Sequence, residues 1–182
     1  MFSTNGIAAF ATLLFIALTV TGCTGTPKGI APVTGFDQGR YLGTWYEIAR
    51  LDHSFEEGLS QVTAEYSVNE DGSLRVINRG YNEESGEWEE AEGRAVYVGE
   101  KSLAHLKVSF FGPFYSSYVV FDLDQTDYSY AYITGYDRDY LWFLSRTPEV
   151  SDQAFEAFRA RAQEEGFDLS KLIVVDQSGN SQ

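Results

Sequence analysis

The chain has 182 residues, 43% of them hydrophobic, and its 27 acidic against 13 basic side chains give a formal charge of −14. That balance argues against nucleic acid, whose binding rests on phosphate neutralisation by Lys and Arg, and offers no polybasic patch to anionic lipid heads. Cys23 is the single cysteine, so an intrachain disulfide framework is excluded.

Residues 1–22 contain no charged side chain, and Phe10 to Val20 is an apolar run. It is shorter than the ~20 residues of a membrane span and fits the h-region of a secretory signal. The run ends in Val20-Thr21-Gly22-Cys23. Small residues before a cysteine resemble the lipobox of bacterial lipoproteins, although the n-region lacks the usual Lys or Arg. The resemblance implies cleavage after Gly22 and acylation of Cys23. With Thr24 rather than aspartate next, it also implies an anchor in the outer membrane of a Gram-negative bacterium. The alternative is a chance cysteine behind an ordinary signal. Each buried acyl methylene contributes ~0.8 kcal/mol, so several chains hold firmly. Removing the signal leaves 160 residues, enough for one domain with a substantial core.

Residues 24–35 are rich in Gly, Pro and Thr without a period and read as a tether, with a reach of roughly 40 Å if extended. From Leu42 the pattern changes to period two. Gln61 to Val68 alternates Val62, Ala64, Tyr66 and Val68 with Gln61, Thr63, Glu65 and Ser67, the signature of a strand with one wet face. Asp71-Gly72 is a hairpin cue. Further strands are predicted over Ser73 to Tyr81, Glu87 to Val98, Ala104 to Phe110, Tyr115 to Asp122, Tyr128 to Thr134 and Tyr140 to Arg146. Eight short strands with tight turns and 15% aromatic residues point to an all-β barrel or sandwich. One helix is predicted, with Ser151 as N-cap, Gly166 after its end, and Phe155, Phe158 and Ala162 on the face that packs outside the barrel. Leu172 to Val175 forms a short closing strand, and Gln177 to Gln182 a loose tail.

Several chemistries lack their residues. His53 and His105 lie on different elements, which leaves no metal set, and there is neither a Gly-x-Ser-x-Gly elbow nor a phosphate-binding glycine loop. The many glutamates between Glu83 and Glu92 read as a solvated edge that discourages strand-to-strand association. What remains is the barrel interior, because eight strands either fill with side chains or hold one small ligand. If Trp45 points in, Tyr140 and Trp142 share the inward parity of Arg146, while Asn78, Leu106, Val108 and Phe110 line other walls. An aromatic and apolar lining with a few polar groups suits a small-molecule pocket; a dry filled core is the alternative.

These residues carry a resemblance. Gly43-Thr44-Trp45, Thr126-Asp127-Tyr128 and Arg146 appear in the order of the three lipocalin signatures. More specific are the runs over 41–56, 106–115 and 137–148, which with the lipobox resemble the bacterial outer-membrane lipoprotein lipocalins of the apolipoprotein D type. The resemblance implies an eight-stranded antiparallel up-and-down barrel with one C-terminal helix packed outside. It divides the chain into a signal peptide (1–22), an acylated N-terminus and tether (23–36), a lipocalin domain (37–177) and a tail (178–182). Gly43, Trp45 and Arg146 then belong to the closed end, with the arginine across the indole, a contact of ~0.5 to 2 kcal/mol. Asp124-Gln125-Thr126-Asp127-Tyr128 is one residue longer than the subgroup pattern, which leaves open whether Asp124 or Asp127 makes the closing contact.

The open end would carry the turns 52–60, 82–86, 111–114 and 135–139, with Phe55, Phe111 and Phe114 as an aromatic lip facing either the membrane or a second copy in a homodimer. The family's ligands imply a fatty acid or lysophospholipid, with Tyr118, Tyr140 and Asn78 contacting its head. The function so implied is storage or transport of lipid for envelope maintenance, without catalysis and without a cofactor. A second reading is an enzyme on the same scaffold, with Glu47 as a buried acid acting on a lipid or isoprenoid. A third is an interaction protein that uses the lip.

Overall fold

The computed structural model describes residues 24–180; Cys23, the apolar run before it and the last two residues lie outside the described part. The strands are β1 (Gly43–Leu51), β2 (Leu59–Val68), β3 (Leu74–Asn82), β4 (Glu87–Tyr97), β5 (His105–Ser109), β6 (Ser116–Leu123), β7 (Tyr130–Thr134) and β8 (Leu141–Ser145). Each is antiparallel to the next, and β1 pairs with both β8 and β2, so the sheet closes on itself. Closure removes the open edges that a flat sheet would expose. The period-two pattern sorts side chains as predicted: Trp45, Ala64, Leu74, Val76, Leu106 and Ile133 face inward, while Ile48, Phe121, Tyr132, Leu141 and Phe143 face outward.

The outward group is covered by α2 (Asp152–Glu164). Its start is set by Ser151, whose side chain accepts from Ala154 N, and Gly166 follows its end at φ +82°, a backbone state that glycine adopts without steric cost. Phe158 and Ala162 are fully buried, and the Phe158 ring stacks on Phe143 at 4.9 Å. Beyond the helix, β9 (Leu172–Val174) pairs with Ala49 to Leu51 of β1, alongside the half of that strand which β2 has left.

Two terminal segments are ordered where composition predicts slack. Residues 24–36 form a strap on the barrel wall instead of a free tether. The Thr24 carbonyl is 3.1 Å from His105 Nε2, Gly25 O accepts from the Ser117 hydroxyl, and Lys28 O accepts from Arg138 at 2.8 Å. Val33 N donates to Val120 O, and Ala104 N to Val33 O, both at 2.9 Å. Ile30 and Phe36 are buried and Val33 packs half-buried against the core, so three apolar residues among the Gly, Pro and Thr are enough to lay the segment down. After the strap comes a single-turn α1 (Gln38–Tyr41), capped by Asp37 and absent from the sequence reading.

The C-terminal segment is likewise not loose. Gln177 is buried, and its Nε2 donates to Glu47 O and Val62 O at 2.8 Å, joining β1 to β2 where the two strands part. Asn180 Nδ2 donates to Gln61 O at 3.2 Å. Gln61 itself has φ 51° beside a register shift in β2, so its backbone groups are turned out of the ladder and met by the tail.

Candidate functional site

The closed end supports everything above it. Arg146 lies 3.8 Å over the Trp45 ring and donates to Thr44 O at 2.8 Å, Arg40 O at 2.7 Å and Tyr128 O at 3.3 Å. Trp45 Nε1 donates to Tyr41 O. Gly43 sits at φ +90°, and the nearest atom to an added Cβ there would be Arg146 Nη1. In the β6–β7 turn the organising carboxylate is Asp124, not Asp127: it accepts from Thr126 N, Asp127 N, and both Ser129 N and Oγ. Those bonds, with the Ser129 hydroxyl foremost, hold its carboxyl below the ordinary value. Tyr128 follows at φ 56°, an unfavourable state for a tyrosine. Its hydroxyl accepts from Asp37 N, and Arg40 stacks on its ring at 4.2 Å.

Above this plug lies a cavity of about 470 Å³ that opens at the opposite end of the barrel. Its floor is a triad of phenols. The Tyr41 and Tyr118 hydroxyls are 2.6 Å apart, and Tyr66 donates to Tyr118 at 2.8 Å. Three hydroxyls bring three protons and spend two on one another, so one donor is left for a guest or water. Burial pushes all three phenols above their ordinary value, and they stay neutral. Leu74, Val76, Ala95, Leu106 and Val108 make the apolar walls. Asn78 also lines the cavity, and its Oδ1 meets no protein donor.

The sequence-derived lining residues therefore converge. Asn78, Leu106, Val108, Phe110, Tyr118, Tyr140 and Trp142 all border the one cavity. Within it Tyr118 lies at the floor, tied to two other tyrosines, whereas Tyr140 and Trp142 stack with centroids 6.0 Å apart beside the loop that joins β1 to β2.

Of the polar cluster at that loop the sequence showed only Glu47 as a buried acid, which the structure bears out; its partners went unseen. Arg50, 2% exposed, donates to Glu47 Oε1 at 2.8 Å and to the carbonyls of Glu56 and Leu59 at 2.7 and 3.0 Å. Trp142 Nε1 donates to Glu56 Oε2 at 3.0 Å. The His53 ring lies 4.9 Å from Trp142, and its Nε2 is 3.3 Å from the same carboxylate without hydrogen-bond alignment. Burial pushes this imidazole below its ordinary value. Residues three apart in a regular strand face opposite sides. Here the register shifts between Glu47 and Ala49, and the bulge turns Glu47 and Arg50 to the same side. Two charged residues at odd spacing were the available signal, but nothing in one strand announces a bulge.

The chemistry of this cluster is that of a strut. Burial first, and the Glu56 carboxylate second, push the Glu47 carboxyl well above its ordinary value of 4.5, against the pull of Arg50. The folded chain therefore keeps a proton that the unfolded chain releases. The stability this adds is full below about pH 4.5 and is lost as pH rises through the folded value. Glu47→Gln is expected to flatten that fall, measured as urea midpoints across the acidic to neutral range; a steeper fall in the variant would refute the assignment. Among the described residues no cluster of His, Cys, Asp and Glu could hold a metal ion.

Comparison with known proteins agrees with this architecture. Residues 36–177 match the lipocalin-like domain family. The chain is 54% identical over 165 residues to outer membrane lipoprotein Blc of Vibrio cholerae, covering 91% of this chain and 96% of the relative. It is 52% identical to outer membrane lipoprotein Blc of Escherichia coli strain K12, covering 96% and 97%. Apolipoprotein D of Rattus norvegicus is a more distant relative, 28% identical with coverage of 92% and 96%. Among solved structures, insecticyanin from the tobacco hornworm superposes with a TM-score of 0.67 at 22% identity, covering 86% of this chain and 89% of that one, a likeness of fold. A barrel closed by an arginine over a tryptophan, left hollow above that plug, and matched along nearly its whole length in this way places the chain in the lipocalin family.

Proposed function

We propose that this protein is a lipid-binding lipocalin held at the outer membrane by acyl chains on Cys23, and that it stores or carries a fatty acid or lysophospholipid for upkeep of the envelope. The observation that carries the reading is the cavity: apolar walls, a polar floor and an open mouth, at a volume within the usual range for small-molecule sites. The names of the two bacterial relatives support the location. Among the described residues no helix is long and apolar enough to cross a membrane.

Binding follows from burial of the acyl chain. A sixteen-carbon tail gains on the order of 10 kcal/mol at ~0.8 per methylene, less the cost of immobilising it. Micromolar or tighter affinity is expected. No bond need be made or broken, and Glu47, engaged by Arg50, serves the frame. Delipidated protein titrated with long-chain fatty acid and with lysophospholipid should show saturable one-to-one binding. A linear, unsaturable response to both would sink the proposal.

A further inference from the structure

The polar atoms that border the cavity sit at two levels, and one lipid head cannot meet both. Tyr66 lies opposite Gly43 at the start of β1, and Trp142 lies opposite Arg50 near its end. The stretch of strand between those levels is roughly 20 Å long. At the upper level Tyr140, Trp142 and Glu56 stand beside the mouth. At the lower level Tyr41, Tyr66 and Tyr118 form the floor, with the Tyr41 ring 4.8 Å from the indole of the Trp45 plug. A chain that enters tail first, its head left at the mouth, therefore brings its last carbon to hydroxyls and not to an apolar wall.

Those hydroxyls are not balanced among themselves. Tyr66 gives its proton to Tyr118, and Tyr41 and Tyr118 share one bond at 2.6 Å; whichever of those two donates, the proton of the other has no acceptor among the described residues. Asn78, diagonal to Tyr66 across the β2–β3 ladder, adds an acceptor: its Oδ1 is buried, borders the same cavity and meets no donor. A free donor and a free acceptor are the complement of a hydroxyl, which accepts and donates at once. A methyl end satisfies neither. A carboxylate there would be a buried charge facing one neutral donor, since Arg146 is spent beneath the plug on the Trp45 ring and three carbonyls. A guest that displaces water from such a floor keeps its affinity only if it reproduces the bonds of the water.

We propose that the floor formed by Tyr41, Tyr66 and Tyr118 is a subsite for a hydroxyl on the far end of a lipid chain, so that the cavity selects acyl chains hydroxylated at the terminal carbon over unsubstituted ones. The proposal rests on the carriage of long-chain lipid proposed above and names the chemistry of the tail. The mouth then meets the head of the ligand, the apolar walls meet its methylenes, and the floor reads whether the chain ends in carbon or in oxygen.

The test titrates the delipidated protein with fatty acids of twelve, fourteen and sixteen carbons, each in three forms: unsubstituted, hydroxylated on the terminal carbon, and hydroxylated on the carbon next to the carboxyl. The last form carries the same hydroxyl at the head and controls for composition. At the chain length that spans the cavity, the terminally hydroxylated acid should bind on the order of fivefold tighter than the other two, the effect of one net hydrogen bond. Without a polar subsite a terminal hydroxyl is buried unpaired and binding weakens, so the sign of the difference decides. Joint replacement of Tyr41→Phe, Tyr66→Phe and Tyr118→Phe keeps the three rings and removes the whole hydroxyl set, a shape-conserving change that is nearly neutral for folding. It should abolish the preference. Equal or weaker binding of the terminally hydroxylated acid at every length overturns the proposal, as does a preference that survives the triple replacement; if that variant does not fold, the comparison in the parent protein decides alone. Saturable binding of the unsubstituted acids with no gain from the terminal hydroxyl sinks the floor subsite only, whereas no saturable binding of any of these acids sinks lipid carriage and the subsite together.

Discussion

Replacing Trp45 with alanine is expected to lower stability by about 3 to 5 kcal/mol, the range for removing a large aromatic side chain from a packed interior. The indole is fully buried, touches the Tyr41 ring at a centroid distance of 4.8 Å and lies beneath the guanidinium of Arg146. Its loss leaves a hole and also frees Arg146, whose three carbonyl bonds tie β1, α1 and the β6–β7 turn together. At roughly 2 to 4 °C per kcal/mol for a domain of this size, the melting temperature should fall on the order of 10 °C. Lipid affinity, measured where the variant is still folded, should stay within a few-fold of the parent, because Tyr41 and Tyr66 and not Trp45 border the cavity. A variant that keeps its stability but loses binding would move Trp45 from the frame to the site.

The opposite outcome is expected for Trp142→Arg. This side chain borders the cavity near its mouth and is only half-buried, so the wall can be rebuilt there with a melting shift of a few degrees. What changes is the interior. A guanidinium projects where an apolar tail should pass, the stack on Tyr140 is lost, and the hydrogen bond to Glu56 is replaced by an ion pair that holds the new group in place. Affinity for long-chain lipid should drop on the order of a hundredfold, roughly the effect of 3 kcal/mol of lost apolar contact. Titration with a fluorescent fatty acid reads it directly, and unchanged affinity would argue that ligand does not occupy this cavity.

Much of the fold was legible in the chain because its strands are half wet. Val62, Ala64 and Tyr66 alternate with Gln61, Thr63 and Glu65, and one buried face per strand is all that period two requires. The helix was equally plain, since its cap, its apolar face and its terminal glycine are local. Parity also grouped the lining residues correctly wherever strands are regular, as in β5 with Leu106 and Val108. On β1 it placed Glu47 inward but missed Arg50, which the bulge near Ala49 turns to the same side, and it could say nothing of Glu56 and His53 on a loop.

Local pattern thus determined eight half-wet strands, the outer helix and the apolar character of the interior, and the resemblance to the lipocalins added the closed barrel with the arginine and tryptophan of its base. Tertiary structure decided what depends on meetings between distant residues. Asp124 took the turn over Asp127 because its oxygens reach three backbone amides. The strap and the tail lie down because Ile30, Phe36 and Gln177 find partners far along the chain, which no composition of Gly, Pro and Thr can reveal. The cavity is hollow for the same kind of reason: whether eight inward-facing rows meet at the axis depends on barrel geometry and on side-chain reach, and neither is written in the order of residues along any one strand.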